Sequence, residues 1–261
     1  MSLTIFHGDC LEVMKTLPDK SVDCFICDLP YGCLSTTKQP PLKIDKHSVQ
    51  RSGCAWDIKI DLGEFWKQVK RLCKTDKSPV LMFCTTKFGI DLINSNPSWF
   101  RYDLVWDKKI GVSFLSANKM PLRAHEMIYV FSKSGAHYKR IDIEGDFKKW
   151  SSPARGVSKH YHGRQKTAGG GEHTEGKRCV KSVVPIPLVQ HRGGHPTEKP
   201  LELYKWLLSR YCPEGGTILD PTAGSFNSCV AGLLLDLNCI GIEKDNEFFN
   251  KALKDFEECC E

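Results

Sequence analysis

The sequence of 261 residues predicts an α/β protein, with a doubly wound, mostly parallel sheet and helices on both faces. Three observations carry this expectation. Apolar runs of strand length alternate with apolar stripes at helical spacing. One such run, residues 22–27, stops abruptly at Asp28-Leu29-Pro30-Tyr31-Gly32. Another, residues 217–220, passes through a turn of small residues into a helical run and then a strand that ends at Glu243.

Residues 3–6 read as the first strand and 9–16 as a short helix. Residues 22–27 read as a buried strand that Pro30 and Gly32 bring to an end. Phe65, Val69 and Leu72 form a stripe at helical spacing, and residues 80–84 follow as a strand. Ile90, Leu92 and Ile93 mark the next helix, and residues 102–106 and 126–131 the next two strands. Residues 198–209 read as a helix with Thr197 as N-cap and Pro200 in its first turn. Strand 217–220, a helical run with Val230, Ala231, Leu233, Leu234 and Leu235 on its apolar face, strand 239–242 and a final helix complete the chain.

The run at 22–27 presents Asp28, the Pro30 carbonyl and the Tyr31 ring together at the C-terminal end of a strand, where open α/β sheets bind ligands. The trio suits a flat ring bearing an exocyclic amino group. The carboxylate and the carbonyl accept its two N–H bonds, and the Tyr stacks on its face. Taken alone, the stretch reads equally as a strand-ending turn with an ordinary Asp cap. Downstream, Gly224 allows close approach of backbone to a ligand, and the helix that follows offers free N–H groups. Glu243, at the end of the second strand of this unit, is placed to bond ribose hydroxyls. The pattern is not G-x-G-x-x-G, so a dinucleotide is not the first choice, and a plain βαβ unit fits it as well.

With three further segments, these motifs resemble those of the S-adenosylmethionine-dependent DNA amino-methyltransferases, the N6-adenine/N4-cytosine family. Asp28-Leu29-Pro30-Tyr31 is similar to the family's catalytic D-P-P-Y, and Asp220-Pro221-Thr222-Ala223-Gly224-Ser225-Phe226-Asn227 to its D-P-F-x-G-S-G-T. His195-Pro196-Thr197-Glu198-Lys199-Pro200 is its H-P-T-E-K-P, intact. The opening from Phe6 to Glu12 resembles the family's G-D-x-L-E, and the stretch from Asn118 to Phe131 its central motifs. The catalytic motif precedes the cofactor motif, as in the permuted beta class. The likeness covers nearly the whole chain outside residues 135–192. It implies a Rossmann-like methyltransferase fold with circularly permuted motif order. Two positions depart from the pattern: Leu29 replaces the first Pro, and Phe226 the second Gly of the cofactor loop. The Phe226 side chain must therefore point away from the cofactor.

The resemblance implies S-adenosylmethionine as cofactor. Its expected binding residues are Asp9, Asp28, His195, Thr197, Lys199, Asp220, Pro221, Ala223, Gly224, Ser225 and Glu243. Of these, Gly224 and Ser225 approach the methionine end, Glu243 bonds the ribose, Asp9 faces the adenine side, and Thr197 and Lys199 hold the methionine carboxylate. Catalysis falls to Asp28, Pro30 and Tyr31, acting on a base flipped out of a DNA duplex. An Asp at the first motif position favours N6 of adenine; N4 of cytosine is the alternative. Methylation of a protein glutamine amide and a catalytically silent DNA-binding role are more distant readings. Relatives of this class often dimerise, which by analogy implies a homodimer, and they accompany restriction systems.

Composition agrees. Hydrophobic residues make up 41% and charged residues 26%, the usual balance of a globular domain with a sizeable core. No apolar run reaches the length of a membrane span and no signal peptide opens the chain, so a cytoplasmic protein of a bacterium or phage-infected host is expected. Thirteen cysteines then read as thiols rather than a disulfide scaffold. Cys24 and Cys27 point to opposite faces of a strand and cannot share a metal, so no metal site is expected. Residues 133–192 hold thirteen Lys and Arg against five Asp and Glu, a net of +8 in a chain of +6. This segment reads as a basic target-recognition insertion in a catalytic and cofactor-binding domain made of 1–132 and 193–261. A solvated insertion is the alternative. Lys43, Arg51, Arg123, Arg155, Arg164 and Lys166 are the expected contacts to double-stranded DNA.

Overall fold

The computed structural model describes residues 1–32, 58–144, 177–188 and 198–258. In chain order, β1 (Leu3–His7), α1 (Cys10–Thr16) and β2 (Cys24–Cys27) are followed by α2 (Leu62–Leu72), β3 (Val80–Cys84) and α3 (Thr86–Ser95). Next come β4 (Phe100–Val112), β5 (Arg123–Phe131), β6 (Ile143–Glu144), β7 (Lys177–Arg178) and β8 (Val183–Pro185). The chain continues with α4 (Leu201–Tyr211), β9 (Thr217–Asp220), α5 (Asn227–Leu233), β10 (Asn238–Glu243) and α6 (Asn246–Glu258). Residues Arg140–Lys181 form a compact unit of their own, in which β6 and β7 pair antiparallel. The other unit, Met1–Lys139 with Ser182–Glu261, is built on the large sheet.

That sheet has eight strands in the order β1-β10-β9-β2-β3-β5-β4-β8. Every residue of β2 and β3 is buried, as expected for strands covered on both faces. The side-chain period of two sorts them between two cores. Cys24, Ile26, Leu81 and Phe83 pack with α4, α5 and α6 on one face. Phe25, Cys27, Val80, Met82 and Cys84 pack with α1, α2 and α3 on the other. Cys24 and Cys27 thus lie on opposite sides of the sheet. Asp9, Asp61 and Thr85 cap α1, α2 and α3 through their side-chain oxygens.

Parallel pairing runs from β1 across β10, β9 and β2 to β3, while β5 is antiparallel to both β3 and β4. The α5 crossover carries the chain from β9 to β10, toward one edge; the α2 crossover carries it from β2 to β3, toward the other. The sheet therefore reverses its winding between β9 and β2. A crevice at such a switch point, outside the carboxyl ends of the strands, is where this architecture binds ligands.

Several elements differ from the sequence-based expectation: β4 extends well beyond 102–106, β6 and β7 are strands where none is expected, and α4, α5 and β8 depart from it as well. The helix expected at 198–209 begins at Leu201, with Pro200 as its N-cap. Lys199 is held outside it because a residue before proline avoids helical geometry, and because the Lys199 carbonyl accepts from Asn227 Nδ2 at 3.1 Å. The helical run after Gly224 stops at Leu233, short of Leu235. Inside the basic segment, Val183–Pro185 forms an edge strand parallel to β4.

Candidate active site

Asp28 leaves the C-terminal end of β2 beside the switch point. Leu29, only 2% exposed, plugs into the core below, and Gly32 turns the chain with a φ of 65°. Asp28 Oδ1 accepts from the Tyr31 hydroxyl at 2.8 Å, and Oδ2 accepts from Lys199 Nζ at 2.5 Å. The Tyr31 ring lies tilted against Phe88 of α3, with centroids 5.1 Å apart. Burial, and then the Asp28 charge, push the Tyr31 phenol well above its usual range.

Lys199 is almost fully buried beneath this carboxylate, 5.1 Å from the centroid of the Phe83 ring. Its second acid is Glu126 of β5, whose Oε2 lies 3.6 Å from Nζ. Glu126 Oε1 accepts from Lys108 Nζ of β4 at 2.7 Å. The result is an unbroken line of groups, Tyr31–Asp28–Lys199–Glu126–Lys108, with two cations and two carboxylates. Burial alone would lower the pKa of Lys199, but Asp28 and Glu126 outweigh it and hold the ammonium above its ordinary value. Burial alone would raise that of Glu126, but Lys199 and Lys108 outweigh it and hold the carboxylate below its ordinary range. A cavity of about 170 Å³ opens beside this line, bordered by Trp106, Lys108, Glu126, Glu198 and Lys199 among others.

Across the crevice, the turn after β9 is shaped from within. Asp220 is buried, with Oδ1 accepting from the Thr222 amide at 3.0 Å and Oδ2 from the Ser228 hydroxyl at 2.5 Å. Burial pushes its pKa up to about 7, with those two hydrogen bonds opposing and the Asp28 and Glu243 charges adding to the rise. Gly224, at a φ of 52°, gives its amide to Glu243 Oε2 at 2.7 Å, and Glu243 Oε1 accepts from the Asp245 amide at 2.7 Å. Each of these oxygens keeps a second lone pair. Asp9 caps α1 through Oδ1 and pairs through Oδ2 with Lys244 at 3.1 Å.

Phe226 occupies the position of the missing glycine and keeps the left-handed backbone, with a φ of 57°. Its ring is wholly buried, edge-on to Phe249 and Phe256 of α6. It fits only because Gly241 of β10 has no side chain: a Cβ there would lie 2.7 Å from the ring.

The sheet thus carries Asp9, Glu243, the 220–225 turn and Asp28-Pro30-Tyr31 at the carboxyl ends of the adjacent strands β1, β10, β9 and β2. Pro221 and Ala223 are buried in the turn, and Ser225 is half-buried beside Gly224. Arg123 is half-buried at the start of β5, paired in register with Val112. His195, Thr197, Lys43, Arg51, Arg155, Arg164 and Lys166 lie outside the described residues. Among the described residues, no group of three or more His, Cys, Asp or Glu could hold a metal ion. The sequence alone assigns no role to Glu126, Lys108, Phe88 or Asn227, which bonds Glu198 Oε1 at 2.6 Å. A charged residue opening the apolar run 126–131 is the one local signal for Glu126.

This fold is that of the Rossmann-like methyltransferases, whose cofactor is S-adenosylmethionine. A glycine turn and the carboxylate at the end of the next strand, in contact with each other beside the switch point, suit that cofactor. Residues 22–254 match the N6/N4 methyltransferase family, described as DNA methylase, and the chain belongs to it. It is 26% identical over 267 residues to Type II methyltransferase M.HinfI of Haemophilus influenzae, spanning 98% of this chain and 68% of that one. It is 26% identical over 270 residues to the DNA adenine methyltransferase YhdJ of Escherichia coli K12, spanning 96% and 81%. The crystal structure of the M1.HpyAVI–SAM complex superposes with a TM-score of 0.59 at 18% identity, covering 97% of this chain and 99% of that one. The cytosine-N4-specific PvuII DNA methyltransferase gives 0.59 at 12% identity, covering 95% and 84%. The protein is therefore a DNA methyltransferase of the N6/N4 amino-methylating type. No helix among the described residues is long and apolar enough to cross a membrane.

Proposed function

We propose that the target is the exocyclic N6 of adenine, presented as a base flipped out of double-stranded DNA. The observation that carries this reading is Asp28 itself, an aspartate at the first position of the catalytic tetrapeptide, beside Tyr31. The adenine methyltransferase among the relatives supports the same choice. An aromatic amine is a poor nucleophile because its lone pair is delocalised into the ring. Asp28 and the Pro30 carbonyl accept its two N–H bonds and turn the lone pair out of conjugation, while Tyr31 stacks on the base. S-adenosylmethionine supplies an electrophilic methyl. The Gly224 turn and Ser225 approach its methionine end, Glu243 bonds the ribose and Asp9 borders the adenine. Asp220, Pro221 and Ala223 set the turn, and His195, Thr197 and Lys199 are assigned to the cofactor by the family motif. Once nitrogen has taken the methyl, the proton of the N–H bonded to Asp28 passes to that carboxylate.

In this reading residues 133–192 recognise the target sequence. Lys43, Arg51, Arg123, Arg155, Arg164 and Lys166 contact DNA, the enzyme works as a homodimer, and it belongs to a restriction-modification system. The test of the base is the modified nucleoside recovered after DNA is incubated with the protein and S-adenosylmethionine. N6-methyladenine is expected; N4-methylcytosine as the sole product would overturn the choice.

A further inference from the structure

Both oxygens of Asp28 already hold a donor, Tyr31 on Oδ1 and Lys199 on Oδ2. Acting on a target amine requires one of them to accept a further N–H on its remaining lone pair, and an Oδ2 already bonded to the Lys199 ammonium is the weaker acceptor for it. An alternative acceptor waits beside Lys199. Glu126 Oε2 is buried and, among the described residues, has no hydrogen-bond partner; it lies 3.6 Å from Lys199 Nζ. A buried carboxylate oxygen without a donor is costly, and satisfying it is favourable. Glu126 does not need to move, because Lys108 fixes its other oxygen at 2.7 Å. Lys199 can move, because its stem is flexible and the cavity of about 170 Å³ lies alongside. A displacement of roughly 1 Å completes the exchange, bringing a 3.6 Å separation to ordinary hydrogen-bond length.

From this geometry we propose that Lys199 and Glu126 are positioning residues for methyl transfer. Lys199 orients Asp28 until the target amine arrives, then passes its hydrogen bond from Asp28 Oδ2 to Glu126 Oε2, and so stays paired while Asp28 accepts the amine. The inference rests on the assignment of Asp28 as amine acceptor. It differs from the family-based placement of Lys199 at the cofactor carboxylate.

The test compares Glu126→Gln, Lys199→Met and the double variant in steady-state DNA methylation, with cofactor affinity measured by calorimetry. Glu126→Gln keeps the shape but weakens the receiving acceptor. It should lower kcat by about 10- to 100-fold, the scale of one charge-assisted hydrogen bond. KM for DNA and Kd for S-adenosylmethionine should stay within about twofold, a split that general damage to the fold would not produce. With Lys199→Met already present, Glu126→Gln should cost nothing more, because the moving partner is gone. Should Glu126→Gln fail to fold, Glu126→Asp makes the same comparison with a smaller loss. Wild-type kcat at position 126, or losses that multiply independently, would overturn the proposal. So would a Lys199→Met variant that loses only cofactor affinity. Asp28→Ala, run in parallel, tests the underlying reading separately: near-normal turnover there would remove Asp28 as the acceptor whatever Glu126 does.

Discussion

Asp220 shapes the turn after β9 from within the core. Its carboxyl is buried and bonded to Thr222 and Ser228, and burial pushes its pKa up to about 7. The folded state thus binds this proton more tightly than the unfolded chain, whose value is near 3.8. Its contribution to stability is full below that value and is lost as pH rises through about 7. Asp220→Asn is nearly isosteric, and the Ser228 hydroxyl can reverse to accept. Between about pH 5 and about pH 8, wild type should lose up to a few kcal/mol relative to this variant, at about 1.4 kcal/mol per pKa unit. Thermal melts of both proteins across that range test it; parallel curves would show that Asp220 does not titrate there. The strand-end positions of Asp28, Tyr31, Gly224 and Glu243 were legible in the sequence because apolar runs and the turn residues after them mark where strands stop. Glu126 and Lys108 were not, because their meaning depends on Lys199, which only the folded sheet brings to them.

At the scale of elements, α5 and β10 are fitted to one another through Phe226 and Gly241. A methyl at 241 would meet the ring at 2.7 Å and Cys229 Sγ at 2.9 Å, both buried. Gly241→Ala should therefore destabilise the protein by about 1–3 kcal/mol, the usual cost of overpacking. Combined with Phe226→Leu, which frees space, the two losses should sum to less than their separate values. Urea denaturation of the three variants measures this; strict additivity would mean that the methyl is accommodated elsewhere. Buried strands and amphipathic helices were readable because period and length distinguish them. The start of α4 was not, since Lys199 is held by Asn227 and Asp28, partners distant in sequence. Nor was β8, where three residues with one buried side chain owe their conformation to β4.

At the scale of the whole molecule, alternating strands and helices conveyed a doubly wound sheet, and the end of each strand conveyed which edge matters. The strand order and the antiparallel β5 come from long-range pairing that no local pattern encodes. Charge was legible as an excess in residues 133–192, whose proposed role in DNA binding is tested by Arg164→Ala with Lys166→Ala. DNA affinity should weaken, and its salt dependence should flatten by a slope of about 0.9 for each phosphate no longer neutralised, with cofactor affinity unchanged. Wild-type values of both would make these two residues solvated charges. Asn227, at the head of the helix after Gly224, holds Glu198 Oε1 and the Lys199 carbonyl, while the Lys199 ammonium holds Asp28. One dipeptide is thus fastened to both banks of the crevice. By linkage, where ligands on the two banks each prefer one arrangement of that dipeptide, each changes the other's affinity by the same factor. Cofactor and DNA would then be heterotropic partners, with cooperativity transmitted through two residues.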